Sequence, residues 1–264
     1  MTHFEKITEN IYRITTSYKD IFTTVYLLIA DQGMILFDAA SFDQDIDEVI
    51  APALFELGVT SKNLKYVFVS HAHTDHAGGL ARFTAHYPDT TIVSRSAVLS
   101  KKYEGHPFLF PEEGEMLLDT YRVIPIVGHT QDSAALLDTR TNTLITGDCL
   151  QLWGICGAED WAANINFPTE HMQALSKLEK MPLAAIYTAH DYYPLGYFAV
   201  GREAVARYLD ACTKPLLRVK SLIAEHPDAT DADIRAHYNS EEGIPTIREA
   251  VVRAVRESMA EGGL

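Results

Sequence analysis

Within SHAHTDHAGG (Ser70 to Gly79), three histidines and an aspartate fall between His71 and His76: His71, His73, Asp75 and His76. Imidazole nitrogens and carboxylate oxygens are the donor types that hold zinc and other first-row metals. Residues two apart in extended chain point to the same side, so His71 and His73 can grip one ion. Asp75 and His76 come where AGGL begins a helix; they face a different point and suit a second ion. Gly78 and Gly79 let the backbone come close there. The same chemistry recurs where apolar runs stop. YVFVS leads into His71, VIPIVG into His129, TLITG into Asp148, AIYTA into His190 and MILF into Asp38. A single strand ending in His or Asp means little, because turns favour Asp and core edges carry satisfied histidines. Repetition at five ends points to metal binding, since strand ends in layered α/β folds gather at one rim, where loops carry function.

The elements that must position these residues are legible as hydrophobic patterns. β-Branched and aromatic runs predict strands over 11–16, 23–30, 34–37, 66–69, 91–93, 122–127, 134–137, 143–146 and 185–188. Helical patterns lie between them at 43–57, 79–87 and 169–180, the last with Thr169 as its N-cap. Paired strands with helices between them predict an α/β fold, two sheets with helices outside. After Pro194 the strand signal stops, and 199–211, 215–225, 231–237 and 246–259 read as helices. We therefore expect a catalytic domain over 1–195 and a helical C-terminal extension over 196–264 packed on it.

Composition narrows the partners. The chain has 264 residues, is 47% hydrophobic and 22% charged, and can bury a sizeable core. Its formal charge of −14 leaves no basic footprint for a phosphate backbone, so no nucleic-acid partner is expected. No run reaches the roughly 18 apolar residues of a membrane span, and MTHFEKITENIYRITT lacks the basic and apolar regions of a signal peptide. The expectation is a cytoplasmic protein acting on a small molecule, away from membranes, with a homodimer left open. Cys149, Cys156 and Cys212 are an odd, scattered set and read as small reduced side chains.

HAHTDH, followed by GHT, GD and AHD, resembles the ligand set of the metallo-β-lactamase superfamily over Asp38 to His190. That resemblance implies a four-layer αβ/βα sandwich. It also implies two metals, one on His71, His73 and His129 and the other on Asp75, His76 and His190. Asp148 would bridge them, and Asp38 would support the ligand loop through hydrogen bonds. Flavodiiron relatives carry Glu at the position of His73, so two Zn2+ per chain are expected, with iron or manganese as the other ions. The antibiotic-degrading lactamases generally lack the bridging aspartate, and the common secreted ones carry a signal peptide. The set with Asp148 is similar to the branch holding glyoxalase II-type thioesterases and acyl-homoserine lactonases.

The implied chemistry is a binuclear zinc hydrolase in which two cations share a hydroxide that attacks the carbonyl of a small ester, lactone or thioester. Departure of the leaving group would be eased by the second metal or by a proton from Asp148, and Asp75 and Asp148 would carry the catalytic load with the metals. Tyr192, or its neighbour Tyr193, would orient the carbonyl as similar tyrosines do in lactonases; two aromatics at a strand end also fit simple packing. A phosphodiesterase or nuclease on the same metal pair, or a non-hydrolytic metal-binding or sensing module, are the alternatives. Trp153, Trp161 and Phe167 either wall a pocket or cover the sheet. Lys214, Arg218 and Lys220 either receive an anionic group or form a solvated helix face. His106 is on the one further loop that could reach a pocket.

Overall fold

A computed structural model of the chain describes residues 3–151, 154–155, 162–242 and 247–264. Its contacts gather into two compact units, Met1–Ile124 with Ala134–Arg140, and Pro125–Ser133 with Thr141–Leu264.

The first unit is built on a sheet of seven strands in sequence order. They are β1 (Glu5–Lys6), β2 (Ile11–Tyr18), β3 (Ile21–Ala30), β4 (Gly33–Phe37), β5 (Leu64–Phe68), β6 (Thr91–Val93) and β7 (Phe108–Leu109). Strands β1 to β4 are joined antiparallel by short turns, whereas β4 to β7 run parallel. Parallel neighbours need crossovers, and helices supply them. A π-helical turn (Asp45–Ile50) leading into α1 (Ala51–Glu56) precedes β5, α2 (Thr74–Ala77) and α3 (Leu80–His86) precede β6, and α4 (Ala97–Lys102) precedes β7. Apolar side chains from Leu27, Leu36, Val67, Ile46, Leu54, Leu80 and Phe83 form one buried cluster between strands and helices. Parallel direction puts the ends of β4, β5, β6 and β7 at one rim, which carries Asp38, the Ser70–His73 segment, Ser94–Arg95 and Phe110 in turn. The hairpin of β8 (Met116–Leu117) and β9 (Tyr121–Pro125), and β10 (Ala134–Asp138), complete the strands that follow.

In the second unit β11 (Thr143–Ile145) lies parallel to β13 (Ala185–Tyr193), with α5 (Pro168–Leu178) between them in the chain. Strands β12 (Gly154–Ile155) and β14 (Gly196–Val200) pair antiparallel with β13. Three helices follow, α6 (Arg202–Glu225), α7 (Asp231–Glu242) and α8 (Glu249–Ala260). They close around Leu216, Val219, Leu222, Ile234, Tyr238, Val251 and Val255, together with Ile165.

Several sequence expectations need correction. The strand signal does not stop at Pro194: a two-residue turn, Pro194–Leu195, returns the chain as β14, whose last two residues read from the sequence as the start of a helix. The expected helices over 199–211 and 215–225 are one helix of 24 residues that continues through Pro215. Proline removes one intrahelical bond, but here its ring is buried on the inner side of the helix, which offsets the break. Thr169 is not the cap of α5; Pro168 takes the first turn behind Phe167, and the Thr169 hydroxyl meets Ser258 Oγ. His190 lies inside β13 rather than at its end. Helix α4 went unpredicted, although Ser96 accepts from Leu99 N–H at its start.

Candidate functional site

In the first unit one buried carboxylate organises the donors. Asp38 has a left-handed backbone (φ 66°), a conformation aspartate tolerates better than most residues, and this turns its side chain back under β5. Asp38 Oδ1 accepts from Ser70 N–H at 2.7 Å, and Oδ2 accepts from Ser70 Oγ at 3.0 Å and from His76 Nδ1 at 2.7 Å. Burial pushes its carboxyl upward, and the His76 ring and the Ser70 donors pull against that. The Ser70 hydroxyl has one proton and spends it on Asp38. Its oxygen is therefore the acceptor for His71 Nδ1, 3.1 Å away. Both tautomers follow: His71 and His76 each carry hydrogen on Nδ1 and a lone pair on Nε2.

Those lone pairs face other donor atoms of the metal-binding type. His71 Nε2 is 3.0 Å from His73 Nδ1, and His76 Nε2 is 3.3 Å from Asp75 Oδ2. Thr23 Oγ1 donates to the same Asp75 oxygen at 3.2 Å. His71 and His76 are fully buried and Asp75 nearly so, whereas His73 is exposed. The glycines of SHAHTDHAGG are required by space. A Cβ on Gly78 would fall 2.0 Å from Ser41 O, and one on Gly79 2.4 Å from Ala39 O. The loop after Asp38 thus presses backbone to backbone on the start of the ligand helices, and Ala39 N–H donates to His76 O at 2.7 Å.

The second unit repeats the logic with different supports. His129 Nδ1 faces the Asn164 carbonyl at 2.8 Å; a carbonyl only accepts, so the hydrogen is on Nδ1 and Nε2 bears the lone pair. That nitrogen points at Asp148 Oδ2, 3.6 Å away, while His190 Nε2 is 3.2 Å from Asp148 Oδ1. Tyr192, two residues beyond His190, is fully buried and donates its phenol to Asp148 Oδ1 at 2.8 Å. Burial, then the Asp148 charge, drives the Tyr192 phenol well above its usual range, so it remains a donor. The His129 loop is pinned from below. Gly128 O accepts from Asn166 and Phe167 N–H at 2.7 and 2.9 Å, and Asn166 Nδ2 donates to His129 O at 2.7 Å. His171, fully buried on α5, packs so closely that a Cβ on Gly128 would lie 2.4 Å from its Nδ1. Burial pushes the His171 ring down to about 4.

A lone pair aimed at a carboxylate oxygen calls for a proton or a metal cation between them. This occurs at His76 with Asp75 and at His129 with Asp148, and it fits a divalent metal held by nitrogen and oxygen donors. Ser70, Asn164 and His171 were missed in the sequence. Ser70 opened the quoted stretch as an ordinary polar residue, and the Asn164 contribution is a backbone carbonyl without a side-chain signature.

Other expected residues fall elsewhere. Tyr193 is 36% exposed beside buried Tyr192. Trp153, Trp161 and Cys156 lie outside the described residues, and Phe167 serves the His129 loop through its backbone. Arg218 is already engaged by Glu241 and Glu225, and Lys214 by Asp210, which weakens any anion-receiving role for that stretch. The His106 ring bonds the Thr90 carbonyl at 2.8 Å, a tie to the residue that precedes β6. Cys149, beside Asp148, is buried.

The metallo-beta-lactamase superfamily model matches residues 18–190, and the chain belongs to that superfamily. A Beta-lactamase-like protein 2 homolog of Caenorhabditis elegans is 26% identical over 245 residues, covering 89% of this chain and 79% of the relative. A Hydroxyacylglutathione hydrolase of Francisella tularensis is also 26% identical, over 137 residues, and that match spans 49% of this chain and 50% of the enzyme. Among solved structures, a metallo beta lactamase from Erythrobacter litoralis aligns with TM-score 0.58 at 18% identity, over 80% of this chain and 96% of its own. The flavodiiron protein of Giardia intestinalis aligns with TM-score 0.64 at 16% identity, over 82% of this chain and 60% of its own. These likenesses establish the metallo-β-lactamase fold, an α/β architecture with helices at its C-terminal end. Family and donor chemistry together define a metal-binding hydrolase. Among the described residues no helix is long and apolar enough to cross a membrane.

Proposed function

We propose that this chain is a binuclear zinc hydrolase of a small ester, lactone or thioester, working in the cytoplasm on a small molecule rather than on nucleic acid or membrane. The observation that carries the reading is the fixed direction of the imidazole protons, which leaves Nε2 of His71, His76 and His129 as ligands. The family pattern assigns one ion to His71, His73 and His129, the other to Asp75, His76 and His190, and a share in both to Asp148. Zinc held by such donors lowers the pKa of coordinated water to about 7 and polarises a carbonyl. The chain's own residues do the rest. Asp38 and Ser70 hold two tautomers, and the Asn164 carbonyl holds a third. Tyr192 anchors Asp148 Oδ1, which leaves Oδ2 to take a proton from the attacking water and hand it on to the departing alkoxide or thiolate. Thr23 braces Asp75, and Asp38 orients His76. The carbonyl-ester reading draws support from the relative named as a hydroxyacylglutathione hydrolase. The net charge of −14 disfavours a nuclease.

The test is elemental analysis followed by turnover of thioester, lactone, carboxylic ester and bis-p-nitrophenyl phosphate panels. Two zinc ions per chain, carbonyl substrates preferred and activity abolished by chelation are expected. Faster phosphodiester hydrolysis, or metal-loaded protein inert on every panel, would overturn the proposal.

A further inference from the structure

In this acidic chain the described arginines that lie close to carboxylates take them as partners: Arg13 with Glu5, Arg82 with Asp47, Arg140 with Asp138, Arg218 with Glu241 and Arg256 with Asp231. Arg122, Arg202, Arg207, Arg235 and Arg248 lie exposed without such a pair among the described residues, and Arg95 lacks one too. It is half-buried, donates Nη1 to the Pro111 carbonyl at 2.7 Å, and holds its guanidinium 5.8 Å from the centre of the Phe110 ring. Its buried Nε has no hydrogen-bond partner among the described residues, and no carboxylate there pairs with it. A partly desolvated cation lacking a counter-charge is costly. Such a group is kept where an anion arrives from outside, and guanidinium suits carboxylate geometry.

The register fixes where that anion would sit. Val69 N–H donates to Val93 O at 2.8 Å and Ser94 Oγ to Val69 O at 3.1 Å, which sets Arg95 across from Ser70, the residue before ligand His71. The guanidinium leans on past β6 to the end of β7, two strand spacings or about 10 Å from the end of β5. Phe110, 48% exposed, also walls a surface cavity with Ala97, Ser100, Lys101 and Glu104. We propose that Arg95 and the face of Phe110 form a specificity subsite for a substrate carboxylate about 10 Å from the end of β5, where the ligand segment begins, so that preferred substrates are anionic acyl compounds rather than neutral ones.

This deepens the hydrolase reading and rests on it for turnover, but ligand binding tests the subsite by itself. The substrate pair is mono-4-nitrophenyl azelate, whose extended chain carries its carboxylate across that span, against neutral 4-nitrophenyl nonanoate on the zinc-loaded protein. The kcat/KM ratio of charged to neutral ester should fall about 10- to 100-fold in Arg95→Gln, the span of one charge-assisted pair, with the change in KM, and Arg95→Lys should recover part of it. Free azelate should shift the Arg95 Nε–H resonance of the full chain, an effect independent of catalysis. An unchanged ratio, an equal loss on both esters, or a resonance moved by inorganic phosphate and not by azelate would overturn the proposal. If azelate binds at Arg95 while every ester is inert, the hydrolase reading fails and the subsite stands.

Discussion

Replacing Asp38 with asparagine tests the proton wiring of the first unit directly. The amide keeps one oxygen for Ser70 N–H but sets an NH2 group where Oδ2 accepted from Ser70 Oγ and His76 Nδ1. An NH2 group cannot accept. His76 then carries its proton on Nε2, and the Ser70 hydroxyl is free to turn towards His71 Nδ1, which moves the His71 proton to Nε2 as well. Restoring either lone pair for a metal forces a donor against a donor, at about 1–3 kcal/mol. Each 1.4 kcal/mol is tenfold, so zinc affinity should drop about 10- to 100-fold. Because His71 and His76 belong to different proposed ions, both binding steps should weaken together. The assay is zinc competition against a chromophoric chelator, with imidazole tautomers read by 15N NMR in metal-free protein and folding checked by circular dichroism. Affinity within about threefold of wild type, with both tautomers unchanged, would refute the reasoning.

Gly128→Ala drives a methyl to within 2.4 Å of His171 Nδ1, and should cost about 1–3 kcal/mol by denaturant unfolding as well as lower zinc retention through His129. His171 has its folded pKa at about 4, below the ordinary histidine value of about 6.5. The unfolded chain therefore binds the proton first. The stability that a neutral His171 contributes is full above about pH 6.5, is lost as pH falls towards 4 and amounts to about 3 kcal/mol. His171→Leu should flatten that acid limb in unfolding curves of metal-free protein, and an unaltered limb would contradict it.

Residues whose signal is local chemistry were readable from the sequence. The strand at 91–93 was read with the bounds it has, because a short apolar β-branched run between turn residues has few alternatives. The donors at 71, 73, 75, 76, 129, 148 and 190 stood out because polar side chains interrupt apolar runs. Long-range packing was not readable. Nothing local tells that Pro215 is tolerated inside α6, since burial of its ring decides the matter. Nor does the sequence tell that Tyr192 is sealed in and bound to Asp148 while Tyr193 is exposed: alternation along β13 sends neighbours to opposite faces, but which face is inside depends on the rest of the fold. The support from Asn164 is a backbone carbonyl, which any residue type would supply.

The backbone contact between the Asp38 loop and the ligand helices carries a consequence for motion. The amides of Ala39 and Gly79 donate across that contact, to His76 O and Ala40 O. They can trade hydrogen for deuterium only when the two segments part, so their exchange rates report the opening of the ligand loop itself, residue by residue. Local opening short of global unfolding would thus be visible at two amides that no metal touches.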